Sequence, residues 1–134
     1  MSAGGQAVHH LDLTVSDLAR STSYYDAVLA RMGFERTSDV EEGPIWRKAA
    51  FELGLQAASA AGRARPHDRQ CPGLHHLAFA ASSAAAVDAL HGELLRLGVP
   101  VLDAPALYER YLPGYYAVFF ADPDGLKLEY VFTP

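Results

Sequence analysis

The chain has 134 residues, half of them hydrophobic and a fifth charged, with a formal net charge of −5. That is ordinary globular composition, and the length predicts one domain with a real core. No basic stripe is present, so nucleic acid is not an expected partner. The one cysteine, Cys71, stands in a Pro/Gly linker and excludes an intrachain disulfide. No signal-like N-terminus or membrane-length apolar run is seen, so no membrane partner is expected and a cytoplasmic location is.

Residues 8–15, VHHLDLTV, alternate in polarity. Leu11, Leu13 and Val15 should face a core, with His10, Asp12 and Thr14 on the opposite face. Ser16 or Asp17 is a candidate cap for a helix over 18–32 that Gly33 ends. Three short strands are expected over 34–40, 44–49 and 51–57. Residues 58–73 read as a linker.

A second copy of this pattern follows. HHLAFAA opens a strand over 74–81, with Leu77 and Phe79 opposite His76, Ala78 and Ala80. Ser82 or Ser83 caps a helix that Gly98 closes, and residues 99–102 form a short strand. Residues 103–114 are expected to be a loop. Two strands, 115–121 and 126–132, then flank the turn sequence DPDG. The second histidine pair follows the first by 76 − 10 = 66 residues. Each half therefore reads β-α-β-β-β, with module 1 over about 8–58, a linker over about 59–73 and module 2 over about 74–134.

His10, His76 and Glu129 occupy strand faces opposite the expected core. Two imidazoles and a carboxylate suit Zn, Fe, Mn, Ni or Co and leave coordination positions open. Gln56 is read as the first-module counterpart of Glu129, by matching ELGLQ to LKLEY, and as a candidate fourth ligand or hydrogen-bonding neighbour. His9 and His75 are expected on the opposite face from their neighbours, packing or facing solvent.

HHLDLTVSDLARSTSYYDAVLARMGF and YYAVFFADPDGLKLEYV together resemble the vicinal oxygen chelate superfamily, which includes glyoxalase I, extradiol dioxygenases, fosfomycin-modifying transferases and bleomycin-binding proteins. The resemblance implies an α+β fold of two βαβββ modules forming a cupped half-open barrel. It implies a divalent metal held by His10, His76 and Glu129, with the remaining ligand position at Gln56. A neutral amide there does not supply the second carboxylate of glyoxalase I. The family chemistry is binding of a small substrate through vicinal oxygens on the metal. The expected function is therefore a glyoxalase-like isomerase or lyase, or a ring-cleaving dioxygenase. The alternative is a non-catalytic protein that sequesters an antibiotic or aromatic metabolite, and a thiol transferase of the fosfomycin type is a third reading.

Glu52 is the spare carboxylate for proton transfer, with Asp12 a second candidate. Substrate contacts are expected from Tyr115, Phe119, Tyr108, Tyr111, Asp12 and Lys127, and from the neighbours Trp46 and Arg47, one of which should face the cavity; Arg110 lies in the same loop as Tyr108 and Tyr111. A homodimer is expected by resemblance, since modules in small relatives often pair between chains, and pairing within or between chains is left open by the sequence.

Overall fold

The computed structural model describes residues 6–134, apart from the side chains of residues 38 and 39. Two compact units divide between Pro66 and His67.

The first unit runs β1 (His10–Val15), α1 (Leu18–Arg31), β2 (Glu35–Val40), β3 (Gly43–Lys48) and β4 (Phe51–Ala57). Its sheet has the order β1-β4-β3-β2, with β1 parallel to β4 and the other pairs antiparallel. The Asp17 side chain caps α1 by accepting from the Arg20 amide at 3.1 Å. Gly33, at φ 89°, turns the chain out of the helix. The inward stripe of α1, Tyr25, Val28 and Leu29, is fully buried against the sheet. Each such side chain stabilises the unit by about 1.5–3 kcal/mol.

The second unit repeats the plan with β5 (His76–Ala80), α3 (Ala84–Leu97), β6 (Val101–Leu107), β7 (Tyr116–Ala121) and β8 (Lys127–Phe132). Its order is β5-β8-β7-β6, with β5 parallel to β8. Ser83 caps α3 through the Ala86 amide at 3.0 Å, and Gly98 closes it in the left-handed conformation. Val87, Leu90 and Leu94 fill the space between α3 and the sheet.

Both units thus have the α+β, βαβββ architecture expected from sequence. Three local features differ. The linker contains one short turn of helix, α2 (Ala60–Arg63), capped by Ser59. β6 continues to Leu107, through residues read as loop, because it is the sheet edge, where Pro105 removes no needed ladder donor. The β7–β8 hairpin pairs Ala121 with Lys127, so that β8 starts at Lys127 rather than at Leu126. Leu126 instead belongs to the turn, where the buried Asp122 carboxylate accepts from the amides of Asp124 and Leu126 at 2.9 Å each.

For function, the parallel pairing matters most. It sets the first strand of each unit beside the last, so that His10 stands level with Glu52 and His76 with Lys127. Among the described residues no helix is long and apolar enough to cross a membrane.

Candidate metal and substrate site

In the second unit, β8 carries Glu129 on the sheet face away from α3, yet the residue is only 2% exposed. Its row across the sheet is Ala78, Glu129 and Phe119. The Ala78 methyl is too short to fill the space above Glu129, and His76, one pleat away on β5, leans over it. His76 Nε2 lies 3.2 Å from Glu129 Oε1. The other carboxylate oxygen accepts a short hydrogen bond from the Tyr115 hydroxyl. A buried carboxylate is costly unless such partners meet it. Burial, the hydrogen bond to Glu129 and the charges of Glu129 and Tyr111 push the Tyr115 phenol well above the ordinary tyrosine range. It is therefore a protonated donor at neutral pH.

These groups open into a cavity of about 280 Å³ lined by His75, His76, Tyr111, Tyr115, Phe119, Lys127 and Glu129. Its wall is an aromatic cluster. Tyr111 meets Tyr115 edge-on with ring centroids 5.1 Å apart, Tyr108 meets Phe119 at 5.5 Å, and Tyr108 stacks on Tyr111 at 5.9 Å. The Arg110 guanidinium lies over Tyr111 at 4.7 Å and bonds its hydroxyl, so Arg110 is engaged in the wall. The Lys127 ammonium lies 4.6 Å from the centre of the Phe119 ring, on the same sheet face as His76.

The first unit has its own cavity, about 410 Å³, lined among others by His9, His10, Asp12, Glu52, Gly54 and Gln56. Strand register corrects the sequence match made for Gln56. Since His10 pairs with Glu52 and His76 with Lys127, the counterpart of Glu129 is Gly54. Gln56 pairs with Thr14, is exposed, and corresponds to Val131. The pairs one pleat along are Asp12 with Gly54 in one unit and Ala78 with Glu129 in the other. The carboxylate has changed strands. A Cβ built on Gly54 would come within 2.5 Å of Asp12 Oδ1, so the acid of β1 fills the room that the glycine of β4 leaves. Gly54→Glu alone crowds two carboxylates. The double variant Asp12→Ala/Gly54→Glu, which copies the second unit, is expected to be more stable than Gly54→Glu by about 1 kcal/mol in a urea titration at low salt. Equal stability of the two would mean that Asp12 does not occupy that space.

Trp46 is also corrected. Its side chain is buried on the helix side of the first sheet, level with Leu53, tilted against Tyr25 and donating from Nε1 to Asp26 at 2.9 Å. Arg47, one residue on, takes the opposite face in the row of His10 and Glu52. The expectation that His9 and His75 face away from their partners fails as well. His9 Nδ1 lies 3.0 Å from His10 Nδ1, and His75 Nδ1 lies 2.8 Å from His76 Nδ1. Both outer histidines precede the first residue of their strand, where alternation does not yet govern direction. The recurrence of the doublet was the available signal. The desolvation that His75 incurs, then the charges of His76, Lys127 and Arg69, lower its pKa below the ordinary histidine value.

Among the described residues no group of three or more His, Cys, Asp or Glu side chains is gathered to hold a metal ion. The His76–Glu129 pair nevertheless fits two ligands of one. Donors about 2.0–2.2 Å from an ion lie roughly 3.0–3.4 Å apart at octahedral to tetrahedral angles. The observed separation of 3.2 Å falls inside that span.

The profile of the Glyoxalase/Bleomycin resistance protein/Dioxygenase superfamily matches residues 7–130, and the chain belongs to this superfamily. It is 34% identical over 124 residues to the uncharacterized protein YqjT of Bacillus subtilis (strain 168), covering 92% of this chain and 97% of that one. It is similar to the crystal structure of a candidate glyoxalase from Bacillus halodurans, with 30% identity, a TM-score of 0.82 and coverage of 95% and 96%. Lactoylglutathione lyase from Agrobacterium tumefaciens shares the fold at 22% identity, with a TM-score of 0.68 and coverage of 94% and 92%.

Proposed function

We propose that this chain is a divalent-metal-dependent enzyme acting on a small substrate that chelates through vicinal oxygens, either an isomerase or lyase or a ring-cleaving dioxygenase. The observation that carries the reading is the buried Glu129 carboxylate facing His76 Nε2 at 3.2 Å on the floor of an open, aromatic-walled cavity. His76 and Glu129 would hold the ion. His10 is the third donor in this proposal, taken from its matching place in the repeat. When bound, the ion supplies Lewis acidity toward substrate oxygens.

The chain's own groups would do the rest. Tyr115 holds Glu129 through one oxygen and leaves the other directed at His76. Lys127 brings a positive charge to the cavity, where it would stabilise negative charge developing on a substrate oxygen. Tyr111 and Phe119 present flat apolar surface to the carbon part of the substrate. Glu52 and Asp12 are the carboxylates proposed for proton transfer, and a homodimer is proposed as the working state.

The aromatic wall favours a second reading, a protein that sequesters a flat metabolite or antibiotic without chemistry. Elemental analysis of chelator-free protein separates the two at the first step. The enzyme reading predicts bound divalent metal in the wild type and its loss in His76→Ala. Loaded protein is then assayed for isomerisation of methylglyoxal–thiol adducts and for oxygen uptake with catechols. Equal metal in both proteins would remove the enzyme reading. Inertness of loaded protein in both assays, with tight binding of a flat aromatic, would favour sequestration.

A further inference from the structure

Each unit holds a bonded pair of neighbouring imidazoles. The rings meet edge-on in both, with centroids 5.2 Å apart for His9 and His10 and 5.0 Å for His75 and His76. In both, the facing atoms are the two Nδ1 nitrogens. The segments share His-His-Leu and then diverge, and the arrangement recurs at the same place in both units. An Nδ1–Nδ1 hydrogen bond between neutral rings admits one proton. One ring donates from Nδ1–H, and the other accepts and keeps its own proton on Nε2.

For the His75–His76 pair this choice decides what the cavity sees. If His75 donates, His76 carries its proton on Nε2, aimed at Glu129 Oε1. If His76 donates, its Nε2 becomes a bare lone pair pointing to the same place, and the His75 proton sits on Nε2. Both arrangements hold two protons on four nitrogens, so passing from one to the other relocates protons without net release. Only the second leaves His76 able to bind a cation beside Glu129. A histidine that ligates a metal through one nitrogen needs an acceptor for the proton on the other, and that acceptor fixes its tautomer and orientation.

We infer that His75 is a positioning residue: its Nδ1 accepts from His76 Nδ1–H and presents the His76 Nε2 lone pair to the cation site, as His9 does for His10. The inference rests on the metal-site reading proposed above. It gives a role to a histidine that stands just before β5 and lines the cavity with its neighbour.

The test compares the wild type with His75→Phe, which removes the acceptor, and His75→Asn, whose amide oxygen overlays the lost Nδ1. Zinc affinity is measured at pH 8 against a chromophoric chelator. His75→Phe is expected to bind about 10–100-fold more weakly, and His75→Asn to stay within about threefold of the wild type. Zinc affinity in His75→Phe equal to that of the wild type would overturn the inference, as would an equal loss in the Asn variant. If the wild type binds no zinc, the metal reading fails by itself. The pairing is then decided in metal-free protein by nitrogen-15 NMR. A coupling across the Nδ1–Nδ1 hydrogen bond with the shared proton on His76 Nδ1 supports the inference, and no coupling, or the proton on His75 Nδ1, overturns it.

Discussion

Replacing Glu129 with Gln is expected to weaken zinc binding by at least about 100-fold while leaving the metal-free protein folded. Losing an outer partner of a metal ligand costs about 10–100-fold, and losing the anionic ligand itself should cost no less. The fold should survive because the amide has the shape of the carboxylate and still accepts from the Tyr115 hydroxyl. A hydrogen bond to a charged acceptor is stronger than one to a neutral acceptor by about 1 kcal/mol, and removing a buried charge offsets part of that. Thermal unfolding of the metal-free variant should therefore stay within about 5 °C of the wild type. Chelator competition and calorimetry on the same samples check both statements. Unchanged zinc affinity would show that Glu129 is a structural carboxylate tied to Tyr115 and His76.

Trp46→Ala should act on stability instead. The indole is 1% exposed, packs against Tyr25 and bonds Asp26. Truncating it leaves a large cavity and removes a partner of Asp26, and such changes cost about 3–5 kcal/mol. For a chain of this length that lowers the unfolding midpoint by roughly 10–20 °C. Asp26 keeps its contact with Arg36 at 3.1 Å, so its carboxylate is not stranded. Trp46→Phe should fall between, since it retains most of the packing. Zinc affinity of the folded Trp46→Ala protein at low temperature should match the wild type. A variant of normal stability that had lost small-molecule binding would return Trp46 to the cavity.

The two-unit architecture was legible because alternation and helical spacing recur in both halves, with capping residues and glycines at the helix ends. Leu13 and Val15 against His10 and Asp12 marked the faces of β1 correctly. What alternation does not encode is register. Residues 52, 54 and 56 share one face, so a shift of two residues leaves every side chain on its side. Only pairing with β1 distinguishes Gly54 from Gln56 as the counterpart of Glu129. Trp46 and Arg47 posed the reverse problem. The faces of β3 were open from its composition, and its antiparallel register with β4 settles them. The histidine doublets were visible as motifs, but their geometry arises at strand entry, where the period of two has not begun. Glu129 was legible as an outward acid, whereas its burial depends on Tyr115, which reaches it from just before β7.

The central claim is that His76 and Glu129 hold a divalent ion. Crystals soaked in a zinc salt and measured on both sides of the zinc absorption edge test it most directly. The expected result is one strong anomalous peak about 2.0–2.2 Å from both His76 Nε2 and a Glu129 carboxylate oxygen, with the density also showing whether His10 is a third ligand. Zinc found only at surface histidines such as His67, with none between His76 and Glu129, would contradict it.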